Sequence, residues 1–132
     1  MKVVVDTNVI VAGLVSEGVC RDIVKRRLPR CELFISQALL HELENKMRDK
    51  FGFDPKDLPL LQTYKEAATM LKPKPLIKSI CRDKDDDEIL AVAFAGEVEI
   101  ILTGDKDLLV LKESQGIKIL SPRQFVELLD AH

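Results

Sequence analysis

The chain has 132 residues, 46% of them hydrophobic and 32% charged, with a formal net charge of −2. That is enough apolar material for one globular domain over residues 1–132 and leaves no room for a second. The charge balance excludes a protein that coats nucleic acid through charge alone. A histidine count of 2 and three cysteines (Cys20, Cys31 and Cys81) without ligand spacing argue against a zinc site.

Taken in order, Lys2 to Val5 is a β-branched run that reads as a buried strand ending at Asp6. Asp6-Thr7-Asn8 forms the turn, and Val9 to Val15 a short helix. Val19 to Leu28 sets Ile23, Val24 and Leu28 against Arg21, Lys25, Arg26 and Arg27, an amphipathic helix with a basic face that Pro29 ends. Cys31 to Ile35 is a second strand. Ser36 caps a helix running to about Asp49, with Leu39, Leu40, Leu43 and Met47 as its apolar stripe and Glu42 at the stripe edge.

Asp54-Pro55 opens another helix, expected to run to about Leu71 in spite of Pro59. The Lys72-Pro73-Lys74-Pro75 segment is extended, and Leu76 to Ile80 has the composition of a short strand. The acidic run Asp85 to Glu88 leads into a buried helix over 86–95. A strand over 99–102, a helix over 106–113 and a strand over 117–120 follow. Ser121-Pro122-Arg123-Gln124 is a capping box that starts a terminal helix with Phe125, Val126, Leu128 and Leu129 on its buried side. Strands alternate with helices and no hairpin dipeptide occurs, which predicts a three-layer α/β/α sandwich around a mainly parallel sheet. No long uncharged apolar run is present, so the expectation is a soluble, cytoplasmic protein without a membrane span.

In open parallel sheets, ligands sit outside the carboxyl ends of the strands. Asp6 and Asp105 each follow a strand and fall at that edge. Glu42 lies on the helix entered from the second strand. Asp87 lies in the first turn of its helix, where the dipole favours a carboxylate, and shares a face with Leu90, Ala91 and Phe94. Each acid alone is an ordinary cap or solvated charge. Together, hemmed by apolar residues, they form the donor set of a hard cation such as Mg2+ or Mn2+. No Ser/His/Asp set and no Gly-rich phosphate loop can be assembled, so activated water is the chemistry these residues permit.

These residues resemble the PIN-domain family of metal-dependent nucleases over essentially the whole chain. The resemblance is carried by VVVDTNVIV, then Ser36-x-x-Leu39-Leu40-x-Glu42-Leu43, then Asp85-Asp86-Asp87-x-Ile89-Leu90-Ala91, and last Thr103-Gly104-Asp105-x-Asp107-Leu108-Leu109. Within the family the chain is most similar to the small prokaryotic group described as toxin components of toxin–antitoxin pairs, akin to VapC-type toxins. Leu108 stands where many of those relatives carry an aromatic residue.

The resemblance implies endonucleolytic cleavage of single-stranded RNA with Mg2+ or Mn2+. Asp6, Glu42, Asp87 and Asp105 would be the metal-coordinating acids, Asn8 and Thr103 donors that orient them, and Asp107 an auxiliary acid. Asp86 is the rival of Asp87, and the Asp-x-apolar-apolar-Ala spacing favours Asp87. The resemblance also implies a homodimer, with Val9, Val11 and Leu14 as candidate contacts, and a cognate antitoxin protein as a possible partner.

The expected mechanism is in-line attack of water on phosphorus, leaving 3′-hydroxyl and 5′-phosphate ends. Arg21, Lys25, Arg26, Arg27, Lys46 and Arg82 are the candidates to meet the RNA backbone. Three readings compete: a catalytically silent PIN-like module that binds RNA or protein, an RNA-processing nuclease outside any toxin–antitoxin pair, and an aspartyl-phosphate enzyme. The last expects different acid spacings from those present.

Overall fold

A computed structural model of the chain describes every residue except Ile77, Arg82, Asp83 and His132, and the backbone but not the side chain of Asp85. Its centre is a sheet in the order β3-β2-β1-β4-β6-β5, parallel except for the β5–β6 pair. The strands are β1 (Lys2–Val5), β2 (Glu32–Ser36), β3 (Ala68–Leu71), β4 (Ile100–Leu102), β5 (Glu113–Ser114) and β6 (Ile117–Leu120). Val3, Val4 and Val5 are all buried, as are Ile100, Ile101 and Leu102. Successive strand residues point to opposite faces, so burial of every one means that helices cover both faces. Each such side chain contributes about 1.5–3 kcal/mol relative to exposure.

The helices are α1 (Thr7–Val15), α2 (Val19–Asp22), α3 (Gln37–Phe51), α4 (Pro59–Ala67), α5 (Lys84–Gly96), α6 (Lys106–Leu109) and α7 (Pro122–Asp130). Their caps explain their boundaries. The Ser36 hydroxyl accepts from Leu39 N at the start of α3, and Gly52 ends that helix in the left-handed region at φ 71°. Ser121 and Gln124 form both halves of the capping box of α7. Helix α5 lies across β1, β2, β3 and β4. Among the described residues, no helix is long and apolar enough to cross a membrane.

Several expectations are corrected. The basic helix does not stop at Pro29. It widens to a π-helical turn at Ile23–Arg27 and tightens to a 3-10 turn at Leu28–Arg30. The helix expected over 54–71 is three elements: a 3-10 turn (Pro55–Asp57), α4, and the edge strand β3. Pro59 forces Leu58 into extended backbone (φ −109°, ψ 95°) and restarts the helix at its own first position. Ala68 to Leu71 then pair with Leu33 to Ser36, so strand pairing overrides local helix propensity.

The helix expected over 106–113 ends at Leu109, and β5 returns as a hairpin onto β6. Gln115 and Gly116, at φ 49° and 84°, supply the two positive-φ positions of the turn. The strand expected over 76–80 contains Ile77, which lies outside the described residues, and Leu76, Lys78, Ser79 and Ile80 carry no strand.

The chain steps from β1 out through β2 to β3, then crosses back to place β4 on the other side of β1. The strand order therefore reverses between β1 and β4, and the crevice outside their carboxyl ends is where this topology puts a ligand.

Candidate acidic metal centre

Asp6 leaves β1 at that crevice. Its backbone N–H donates to Leu102 O at 2.8 Å, which aligns it with Thr103 at the end of β4. The carboxylate is buried, and both of its oxygens are engaged. Asn8 N donates to Oδ1 at 3.2 Å, making Asp6 the cap of α1, and the buried Thr103 hydroxyl donates to Oδ2 at 2.6 Å. The same Thr103 oxygen accepts from Asp105 N at 3.0 Å. Asp105 in turn caps α6 by accepting from Asp107 N at 2.7 Å. One hydroxyl thus locks the two strand-end acids into a fixed relation.

Beside this pair, carboxylate oxygens of Asp86, Asp105 and Asp107 lie within 4.8 Å of one another. Asp86 is buried, Asp105 half-buried and Asp107 exposed, so the group opens from the core to solvent. Concentrated negative charge with one member out of water is unfavourable unless a cation compensates it. An all-oxygen donor set with an open side fits Mg2+ or Mn2+, which retain waters.

Asp87 is placed elsewhere. Its carboxylate accepts from Ile80 N at 3.1 Å, from Cys81 N at 2.8 Å and from the Ser79 hydroxyl. These bonds, the Ser79 hydroxyl first among them, hold its pKa below the usual carboxylate value. It fastens the segment ahead of α5, and the acid group within 4.8 Å is Asp86, Asp105 and Asp107. The buried face of α5 runs through Asp86, Ile89, Leu90 and Ala93, one residue out of phase with the face through Asp87, Leu90, Ala91 and Phe94 expected from the sequence. The i, i+3, i+4, i+7 stripe beginning at Asp86 was the available signal. It is obscured because Ala91 and Val92 are buried too.

Glu42 reaches the same edge from α3. Its Oε1 accepts from Lys46 Nζ at 2.9 Å, and Lys46 Nζ also donates to Asn8 Oδ1 at 2.8 Å. Asn8 therefore links the Glu42 side to the Asp6 side. Glu88 was not singled out by the sequence. It accepts from the Ser36 hydroxyl at 2.8 Å and so ties the start of α3 to α5. The Cys81 thiol is pushed up to about 11, first by burial and then by the charges of Asp87, Asp86 and Asp105. It stays protonated at neutral pH, which makes it a poor nucleophile.

Several of the basic residues expected to meet RNA make contacts within the chain. Arg21 donates to the carbonyls of Gly13 and Leu14 at the end of α1. Arg27 pairs with Asp22 and Asp130, and Arg26 with Asp22. Arg82 lies outside the described residues. Val9 and Val11 are buried within the chain, while Leu14 is half-buried against a groove with Arg21, Lys25, Leu58, Pro59, Leu60 and Thr63.

Comparison with known proteins agrees with this fold. The PIN domain family profile matches residues 2–107, a span that contains Asp6, Glu42, Asp86, Asp87, Asp105 and Asp107. Uncharacterized protein MJ1680 of Methanocaldococcus jannaschii is 28% identical over 144 residues, covering 96% of this chain and 90% of that protein. The crystal structure of VapBC2 from Rickettsia felis, bound to a DNA fragment from their promoter, contains a chain of like fold. Its TM-score is 0.62 at 14% identity, over 92% of this chain and 98% of that one.

Proposed function

The chain belongs to the PIN domain family, and from that premise we propose that it is a metal-dependent endoribonuclease cleaving single-stranded RNA, the toxin of a toxin–antitoxin pair. The observation that carries the reading is the convergence of Asp86, Asp105 and Asp107 to within 4.8 Å at the carboxyl edge of the sheet. In this reading Asp86, Asp105 and Asp107 hold Mg2+ or Mn2+. Asp6, fixed by Thr103, completes the wall of the site, and Glu42 approaches from α3. A divalent ion held there supplies an activated water and offsets charge developing at phosphorus.

The chain's own contribution is preorganisation. Thr103 keeps Asp6 and Asp105 in register, and Ser36–Glu88 keeps α3 against α5. Asp87, placed as a ligand by sequence spacing, instead fixes the preceding segment in this reading. The toxin assignment rests on the likeness to a VapBC2 chain. An antitoxin and a second copy of the chain are its expected partners, and the exposed Val15 and Val19 beside the Leu14 groove are the apolar surface offered to them.

The test is cleavage of single-stranded RNA with Mn2+, with Mg2+ and with EDTA, beside the Asp6→Asn variant. The expected result is metal-dependent cleavage leaving 3′-hydroxyl and 5′-phosphate ends, lost in Asp6→Asn with the fold retained. Binding of RNA without cleavage under every metal condition would favour a silent binding module instead.

A further inference from the structure

Lys46 is paired with one of the candidate site acids, Glu42. Its ammonium lies 2.9 Å from Glu42 Oε1 and 2.8 Å from Asn8 Oδ1. The side chains of Lys46 and Glu42 are 31% and 22% exposed, so the pair is partly withdrawn from water and is more than a solvated surface contact. The order, Glu four residues ahead of Lys on one helix, is the favourable one.

The contact reaches beyond α3. Asn8, which shares the ammonium, donates its backbone N–H to Asp6 Oδ1. Lys46 therefore lies two hydrogen bonds from the buried carboxylate at the centre of the crevice. Of Asp6, Glu42 and Asp105, Glu42 alone forms an ion pair among the described residues, and its cation is Lys46.

We propose that Lys46 is a positioning residue that acts as an exchangeable counter-cation: it holds Glu42 at the site edge and competes with a divalent ion for that carboxylate. This rests on the reading of the acidic group as a metal site. An ammonium has three donors and no acceptor, so it holds the Glu42 carboxylate and the Asn8 side chain together. The same positive charge opposes a dication arriving at the neighbouring acids. Two effects of removing it therefore have opposite sign. Loss of the brace loosens Glu42 and weakens metal binding, whereas loss of the competing charge strengthens it. The second effect prevails in this proposal, because α3 fixes the backbone of Glu42 and loss of Lys46 frees only its side chain.

The experiment is calorimetric titration of Mn2+ into RNA-free protein, comparing wild type with Lys46→Met, Lys46→Gln and Lys46→Arg. Met and Gln both keep helix propensity while removing the charge. Each should lower the Kd for Mn2+ by about tenfold, equivalent to about 1.4 kcal/mol, and Arg should restore the wild-type value. Unchanged or weaker binding in Met and Gln, with wild type binding normally, would overturn the counter-cation role and leave the metal site standing. A wild-type protein that binds no Mn2+ would overturn the metal reading and this inference with it.

Discussion

Replacing Thr103 by Val tests the hydroxyl that joins the two strand-end acids. The substitution is nearly isosteric, so the packing around this fully buried side chain is conserved while its hydrogen bonds are lost. The hydroxyl donates to the Asp6 carboxylate at 2.6 Å and accepts from Asp105 N at 3.0 Å. A hydrogen bond to a charged group contributes about 1.5–3 kcal/mol, and a buried N–H left without an acceptor costs about 1 kcal/mol more. The added methyl returns about 0.8 kcal/mol. The net expectation is a loss of about 2–3 kcal/mol, read by urea unfolding at neutral pH in EDTA with an unchanged m-value. Thr103→Ser keeps both bonds and removes one methyl, so it should cost about 1 kcal/mol. A Val variant within about 0.5 kcal/mol of wild type, or a Ser variant as unstable as Val, would refute the assigned role of the hydroxyl.

Two further outcomes follow from packing and charge. Gly13→Ala should destabilise by about 1–2 kcal/mol in a thermal or urea melt despite Ala's helix advantage of about 1 kcal/mol. The new Cβ would meet Val24 Cγ2 at 2.7 Å and the Cys20 carbonyl oxygen at 2.9 Å, and backbone cannot yield as a side-chain end can. A more stable Ala variant would contradict the close approach of α1 and α2. For Asp87, hydrogen bonds from Ser79, Cys81 and Ile80 depress the folded-state pKa. Its stabilisation is therefore complete above the unfolded carboxylate value of about 3.9 and lost as pH falls through the lower folded value. The stability advantage of wild type over Asp87→Asn should shrink as pH is lowered below about 4; an advantage constant down to pH 2 would show that the carboxylate is not held in this way.

What the sequence revealed and what it hid divide by the range of the forces involved. β1, β6 and the capped helices α3 and α7 were legible because apolar runs and cap residues act within a few positions. Asp6 and Asp105 were legible as strand-end acids in an α/β chain, where topology converts sequence position into a shared edge. β3 was not, because Ala68-Thr69-Met70-Leu71 becomes a strand only through pairing with β2, more than thirty residues earlier in the chain. The β5–β6 hairpin was hidden because Gln-Gly is a weak turn signal beside Asn-Gly or Asp-Gly. Sequence spacing ranks Asp86 below Asp87 because α5 is apolar around most of its circumference, so a rotation of about 100° leaves little trace in the pattern. From the sequence, Lys46 is a candidate RNA contact. Its pairing with Glu42 and Asn8 depends on how α1 and α3 meet, which no local pattern encodes.

The most direct test compares Asp86→Asn with Asp87→Asn in Mn2+-dependent cleavage of single-stranded RNA. If Asp86, Asp105 and Asp107 hold the metal, Asp86→Asn should lose activity by about a hundredfold or more, while Asp87→Asn keeps most of it. Full activity in Asp86→Asn, or cleavage by wild type that persists in EDTA, would contradict the account.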